Sequence, residues 1–237
     1  MTVYKIYKAN ERGSADHGWL KAKHSFSFAS YYNPNKMNFG ALRVLNDDLV
    51  AGGMGFGMHH HDNMEIITIP IEGIIEHKDS LGNIGQIAVG DVQVMSAGTG
   101  IMHSEYNKKK DKILKLFQIW ILPNTRNVSP RYQQISLNIN DRHNKLQQIV
   151  SPNPNDEGVW IHQNAWIHIA KFDSNLEIKY KLKSIENGIY FLNINGSITL
   201  DNYTLESRDA LGITNKKEIS IKANTNAELL IIEVPMN

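Results

Sequence analysis

The chain has 237 residues, 41% of them hydrophobic, and a formal net charge of +1 with its Lys and Arg residues scattered. That length suits one large or two small domains with a true core, and the charge excludes binding driven by neutralisation of nucleic-acid phosphates. There is no cysteine, which excludes disulfides, thiolate metal sites and cysteine nucleophiles, so any bound metal must sit on nitrogen and oxygen.

The first dozen residues hold no apolar stretch of signal-peptide length, and no later segment approaches a membrane span. A soluble cytoplasmic protein is the expectation. Short β-type runs follow at 41–45, 65–69, 73–77, 91–95 and 114–121, several alternating apolar and polar residues with the period of a strand. Turn chemistry separates them, as in Asn46-Asp47-Asp48 and the Gly82-Asn83 pair. Long stretches of helical period are absent, so the fold class is all-β, as sandwich or barrel. The Lys108-Lys109-Lys110 run is a solvated loop. Turn-rich segments at 123–130 and 151–158 bracket a less regular stretch and place a domain junction there, dividing the chain into 1–135 and 136–237. The halves share an outline. An apolar strand ends at Gly73, a new one starts, and Asp91 marks a later turn; Gly196 and Asp209 occupy the same places in the second half. This pattern predicts a duplicated barrel.

Function concentrates between Gly53 and Asn107. His59 and His61 stand two residues apart; about forty residues later so do His103 and Glu105. Residues i and i+2 of a strand share a face, so each pair aims together. If the two strands meet inside a barrel, three imidazoles and one carboxylate converge, a set that borderline divalent metals accept with coordination positions left open. A lone histidine is usually a satisfied core or surface residue; four potential ligands at matched spacing are not. An unbroken strand from His59 to Ile69 would also turn Glu65, Ile67 and Ile69 inward, with His60 outward. Glu65 is then a fourth ligand in place of Glu105, an acceptor for a ligand imidazole, or a rim residue. His17, His24, His77, His143, His162 and His168 lack partners at ligand spacing and read as structural or exposed. Gly53-Met54-Gly55-Phe56-Gly57 lacks the spacing and the following helix of a phosphate loop; its glycines suit a bulged strand. Met54, Phe56 and Met58 either cover the mouth of a pocket or simply pack. No nucleophile elbow supports serine hydrolysis.

The His-X-His-X3-Glu segment with Gly73, and the Gly90, Gly98, His103-X3-Asn107 segment, resemble the two signature motifs of the cupin superfamily. More narrowly, the segments 24–32, 58–66, 72–83, 90–107 and 118–132 resemble pirins, over most of the first 135 residues. Length and two-part layout fit the bacterial pirin-like proteins called quercetin 2,3-dioxygenases. The resemblance implies a bicupin, two facing β-barrels with one metal in the N-terminal barrel and none in the C-terminal one. By motif position it puts the metal ligands on His59, His61, His103 and Glu105, favouring Glu105 over Glu65. His60 stands where many pirins have proline, a change on the outer face. The implied cofactor is one divalent ion, Fe(II) first, with Ni, Cu, Mn, Co or Zn also compatible. The implied activity is oxygenative cleavage of a flavonol such as quercetin, with Glu105, or Glu65 from behind, as the proton acceptor. The alternative is an iron-binding regulator without catalysis. A small-molecule substrate and O2 are the expected partners of a monomer, with neither nucleic acid nor membrane.

Overall fold

Strands make up nearly all the regular structure of residues 1–236, which the computed structural model describes. The helical pieces among them are two 3-10 turns, Ala9–Glu11 and Ile139–Arg142. In the first half a seven-stranded sheet runs in the order Arg131–Ser136, Asp91–Ser96, Glu65–Glu72, Leu114–Ile121, Leu42–Val50, Leu20–His24, Gly13–Asp16. A four-stranded sheet, Gly55–His61, Ile101–Asn107, Ile74–Asp79, Ile84–Ala88, closes over it to form a barrel. The second half repeats the plan with seven strands and four. The two turns matched in sequence are matched in space: Gly73 (φ +90) follows Glu65–Glu72, and Gly196 (φ +79) follows Asn187–Asn195. Both occupy the left-handed region that glycine enters without a steric cost.

The two seven-stranded sheets pack face to face. Ile67, Ile69, Phe117, Ile119 and Ile121 of the first meet Ile167, Ile169, Tyr190, Leu230 and Ile232 of the second in one buried cluster. Alternation then sends Ile66, Thr68, Gln118 and Trp120 into the first barrel. The second barrel is filled with apolar side chains, among them Phe172, Phe191, Ile198, Leu200, Ile219 and Ile221. The first holds only two small apolar clusters, one around Ile75, Ile87 and Leu116, the other around Ile66, Met95 and Ile101. Polar side chains occupy the space between.

Val3–Tyr7 does not join the first barrel. It pairs antiparallel with Ala210–Thr214, at the edge of the second half's seven-stranded sheet. Tyr7 caps the seam between the halves, its ring 5.2 Å from Tyr190 and 6.2 Å from Phe26. Asp47 adds a charged tie, with Arg12 at 3.3 Å and Arg208 at 3.0 Å. Tyr7→Ala is therefore expected to cost about 3 kcal/mol of unfolding free energy in urea, as large-to-small changes in a packed seam do. Val3→Ala, at an exposed position, should change little. Equal effects from the two would show that the strand contributes pairing and no packing.

Candidate metal centre

Ile101–Asn107 lies in the middle of the four-stranded sheet, so its inward side chains have neighbours on both sides. His103 stands opposite His59 on one strand and Asp79 on the other; Glu105 stands opposite Phe56 and His77. Between those two positions the register of Gly55–His61 slips by one residue, so Gly57 and Met58 together face Ser104. This is the bulge that the glycines suggested. It has two effects. It turns the even-numbered Phe56 inward with the odd-numbered His59 and His61, and it brings the Gly57 carbonyl to 2.7 Å from His59 Nδ1. A carbonyl only accepts, so Nδ1 carries the proton and Nε2 keeps its lone pair for a metal.

The three imidazoles close on one another. Ring centroids are 4.4 Å apart for His59 and His103, 4.8 Å for His59 and His61, and 4.9 Å for His61 and His103. One ligand-capable nitrogen from each lies within 4.8 Å of the others. His103 is buried and neither of its nitrogens has a hydrogen-bond partner. Burial, with the neighbouring imidazoles, pushes its pKa down to about 2 and that of His61 down to about 4. His61 and His103 are thus neutral ligands at neutral pH.

Glu105 is buried in the same interior. Its Oε1 accepts from Thr68 Oγ1 at 3.1 Å and its Oε2 from Gln118 Nε2 at 2.7 Å. These donors are a cross-strand pair on the seven-stranded sheet opposite. Burial raises the Glu105 pKa, against the pull of His77, Thr68 and His59. His77, read from sequence as structural or exposed, is fully buried and forms a second ligand-capable group with His103 and Glu105. Its Nε2 lies 3.1 Å from Asp79 Oδ2, so that nitrogen carries the proton and Nδ1 is left without a partner. The signal was in the sequence: His77-Lys78-Asp79 has the same two-residue spacing as the ligand pairs. Gln118 was likewise visible as one amide in an otherwise apolar strand.

Glu65 does not join this group. The strand expected from His59 to Ile69 breaks at Asn63, whose φ is +45, and Glu65–Glu72 continues in the other sheet. Its odd-numbered residues therefore face the seam between the barrels, and Ile67 and Ile69 with them. There Glu65 Oε2 accepts from Ser96 Oγ at 2.7 Å, while Arg131 donates to Ser96 and to the Trp160 carbonyl. Burial pushes the Glu65 pKa up to about 7. His60, Met54 and Met58 are exposed, and Phe56 lines a pocket of about 190 Å³ beside the imidazoles. His24, with Nδ1 2.9 Å from Asn46 Oδ1, lines the same pocket. His162 lies half-buried at the seam beside Trp160, and His168 points into the second barrel against Tyr180.

The pirin family model matches residues 6–121, and a model described as the quercetinase C-terminal cupin domain matches residues 148–234. Quercetin 2,3-dioxygenase of Escherichia coli is 41% identical over 230 residues, covering 97% of this chain and 98% of the relative. The chain belongs to the pirin family. The pirin-like protein of Caulobacter vibrioides is 42% identical over 222 residues, covering 93% of this pirin and 95% of the relative. The crystal structure of the bacterial pirin YhhW from Escherichia coli in complex with nickel(II) superimposes with a TM-score of 0.92 at 39% identity, covering 98% and 99% of the two chains.

The position of Glu65 can be checked without substrate. Its folded pKa near 7 lies above the ordinary 4.5, so between those values the folded state binds more protons than the unfolded one. The protonated carboxyl favours the fold below pH 4.5, and that contribution is lost as pH rises through 7. Glu65→Gln removes the loss. The variant should match the parent at pH 4.5 and exceed it by about 3 kcal/mol at pH 8 in denaturant titrations. An identical offset at both pH values would mean that Glu65 is not a buried acid.

Proposed function

We propose that this pirin is a metal-dependent dioxygenase that opens the heterocyclic ring of flavonols such as quercetin, with His59, His61, His103 and Glu105 holding one divalent ion. The observation that carries the reading is the pair of orphaned nitrogens on His103, buried against two further imidazoles without a hydrogen-bond partner. Three imidazole nitrogens that converge in this way are placed to share a cation. Three nitrogens and one oxygen suit Fe(II), our first choice, and also Ni, Cu, Mn, Co or Zn; cellular supply rather than affinity order decides among them. When bound, the ion supplies Lewis acidity that lowers the pKa of the substrate's 3-hydroxyl.

The rest of the work falls to the chain. Gly57 fixes the tautomer of His59. Thr68 and Gln118 fix the plane of the Glu105 carboxylate and keep both its oxygens hydrogen-bonded. Glu105 accepts the proton of the 3-hydroxyl as the substrate binds; a carboxylate whose pKa is raised by burial is a stronger base for this than an exposed one. Glu65, on the far face of its sheet, takes no part in that transfer. Phe28, Phe56 and Trp120 line the approach and exclude water. Both atoms of O2 enter the ring-opened ester, and carbon monoxide leaves.

No helix among the described residues is long and apolar enough to cross a membrane. The protein is proposed to act as a cytoplasmic monomer on a small molecule and O2, divided into an N-terminal metal-binding domain, 1–135, and a C-terminal domain, 136–237, apart from the first strand. The deciding experiment measures O2 uptake and carbon monoxide release from quercetin by apoprotein reloaded with each divalent metal in turn. Turnover is expected with at least one metal, and His103→Ala should lose metal and turnover together. Glu105→Gln should lower kcat by about 100-fold, in the range of a lost general base. Tight metal binding with no turnover above the His103→Ala background would shift the assignment to an iron-binding regulator.

A further inference from the structure

The pocket beside the imidazoles contains a carboxyl group for which neither the metal nor the fold accounts. Asp48 projects from Leu42–Val50 into the first barrel, is 3% exposed, and lines the pocket with Phe28, Phe56 and Trp120. Its Oδ1 is buried without a hydrogen-bond partner. Among the described residues no lysine or arginine pairs with it; Arg12 and Arg208 are bound to the adjacent Asp47, on the opposite face. Thr68 and Gln118, donors within the same barrel, are already committed to Glu105. Of the other polar side chains lining the pocket, His24 is bonded to Asn46, while the Trp120 indole nitrogen, a donor only, is also buried without a partner.

An unpartnered carboxyl buried in a barrel costs stability, so it is expected only where something else bonds it. The fold does not need it. Asp48 stands opposite Leu116 in the sheet register and next to the apolar cluster of Leu20, Ala22, Val50 and Leu116, where a leucine would extend the packing. The pocket is small, about 190 Å³. An apolar cavity of roughly 150 Å³ holds one benzene ring, so this one holds a single substituted ring and not a three-ring flavonol. His59, His61 and Glu105 also line the pocket, and the 3-hydroxyl would lie beside them under the reading given above. The carbon next to that hydroxyl bears the pendant phenyl ring, joined by one rotatable bond. That ring can enter alone, whereas the fused ring would have to bring the heterocycle with it.

We propose that Asp48 is a specificity-determining residue that accepts a hydrogen bond from a phenolic hydroxyl on the pendant ring of the substrate. The assignment rests on the flavonol reading. A carboxyl oxygen accepts from a phenol in either protonation state, so the contact does not depend on how Asp48 titrates. The pocket then selects hydroxylated pendant rings by supplying a group left unbonded when the hydroxyl is absent.

The test is binding, read under anaerobic conditions so that no turnover intervenes. Trp120 lines the pocket, so quenching of tryptophan fluorescence reports its occupancy in the metal-loaded protein. Quercetin should bind about 10-fold more tightly than the flavonol lacking pendant hydroxyls, the range of one hydrogen bond to a buried group. Asp48→Leu should reduce that ratio to within about twofold while leaving the unhydroxylated flavonol bound at least as tightly. Asp48→Asn keeps the shape and one acceptor, and should retain part of the preference; metal content and thermal midpoint establish that each variant is folded. A preference that survives Asp48→Leu, or Asp48→Asn if only that variant folds, in full overturns the proposal. So does a preference that follows hydroxyls on the fused ring. An Asp48-dependent preference without O2 uptake leaves this assignment standing and removes the dioxygenase reading. Turnover with a preference indifferent to Asp48 does the reverse, and failure of every flavonol to bind removes both.

Discussion

Two hydrogen bonds across the first barrel, from Thr68 and Gln118 to the two oxygens of Glu105, hold the site in shape. A carboxylate taken out of water needs donors on both oxygens, and Glu105 has none on its own sheet. It finds them on the sheet opposite, from neighbouring strands in register. The consequence reaches outward. Fixing Glu105 fixes the rotation of Ile101–Asn107, which places His103 two residues away on the same face. The bulge opposite then brings His59 and His61 to the same point. Because Thr68 and Gln118 alternate with Ile67, Ile69, Phe117 and Ile119, the strands that serve the site also carry the apolar face that joins the barrels.

The second barrel shows what the same plan gives without that polar centre. Its interior closes around Phe172, Phe191 and their aliphatic neighbours, with a polar cluster around Glu233 near its end. Glu233 accepts there from the Tyr180 hydroxyl at 2.8 Å, from Asn187 at 2.8 Å, and from the backbone of Lys183 and Ser184. That carboxylate is fully occupied in tying a loop to the barrel. His168 beside it has its pKa pushed down to about 4 by burial and stands without imidazole companions. A filled barrel gives the joint a rigid support; the hollow one carries the chemistry.

The strand class, the duplicated outline and the spacing of His59, His61, His103 and Glu105 were legible because strand geometry has a period of two and ligands must share a face. The parity argument that added Glu65 failed at one residue. Asn63 turns the chain into another sheet, and a turn of that kind resets which face each number occupies. Phe56 was ambiguous for a related reason, since a bulge reverses parity in the same way. Thr68 was harder still. Its role comes from a strand that faces Glu105 across the barrel, and a single sequence does not state which strands become neighbours. The seam position of Val3–Tyr7 was equally hidden, because its partner strand lies at the far end of the chain.

That last pairing orders events during synthesis. Val3 pairs with Thr214, so Val3–Tyr7 cannot find its place until Ala210–Thr214 has been made. Through most of translation it trails from the nascent chain with Tyr7 uncovered, while the metal-site strands already have all their partners. The hollow barrel can therefore close, and take up its ion, before the supporting one exists. The exposed edge of Ala210–Thr214 is then covered by a strand held nearby at the seam, which gives a newly emerged edge little time to pair with another chain.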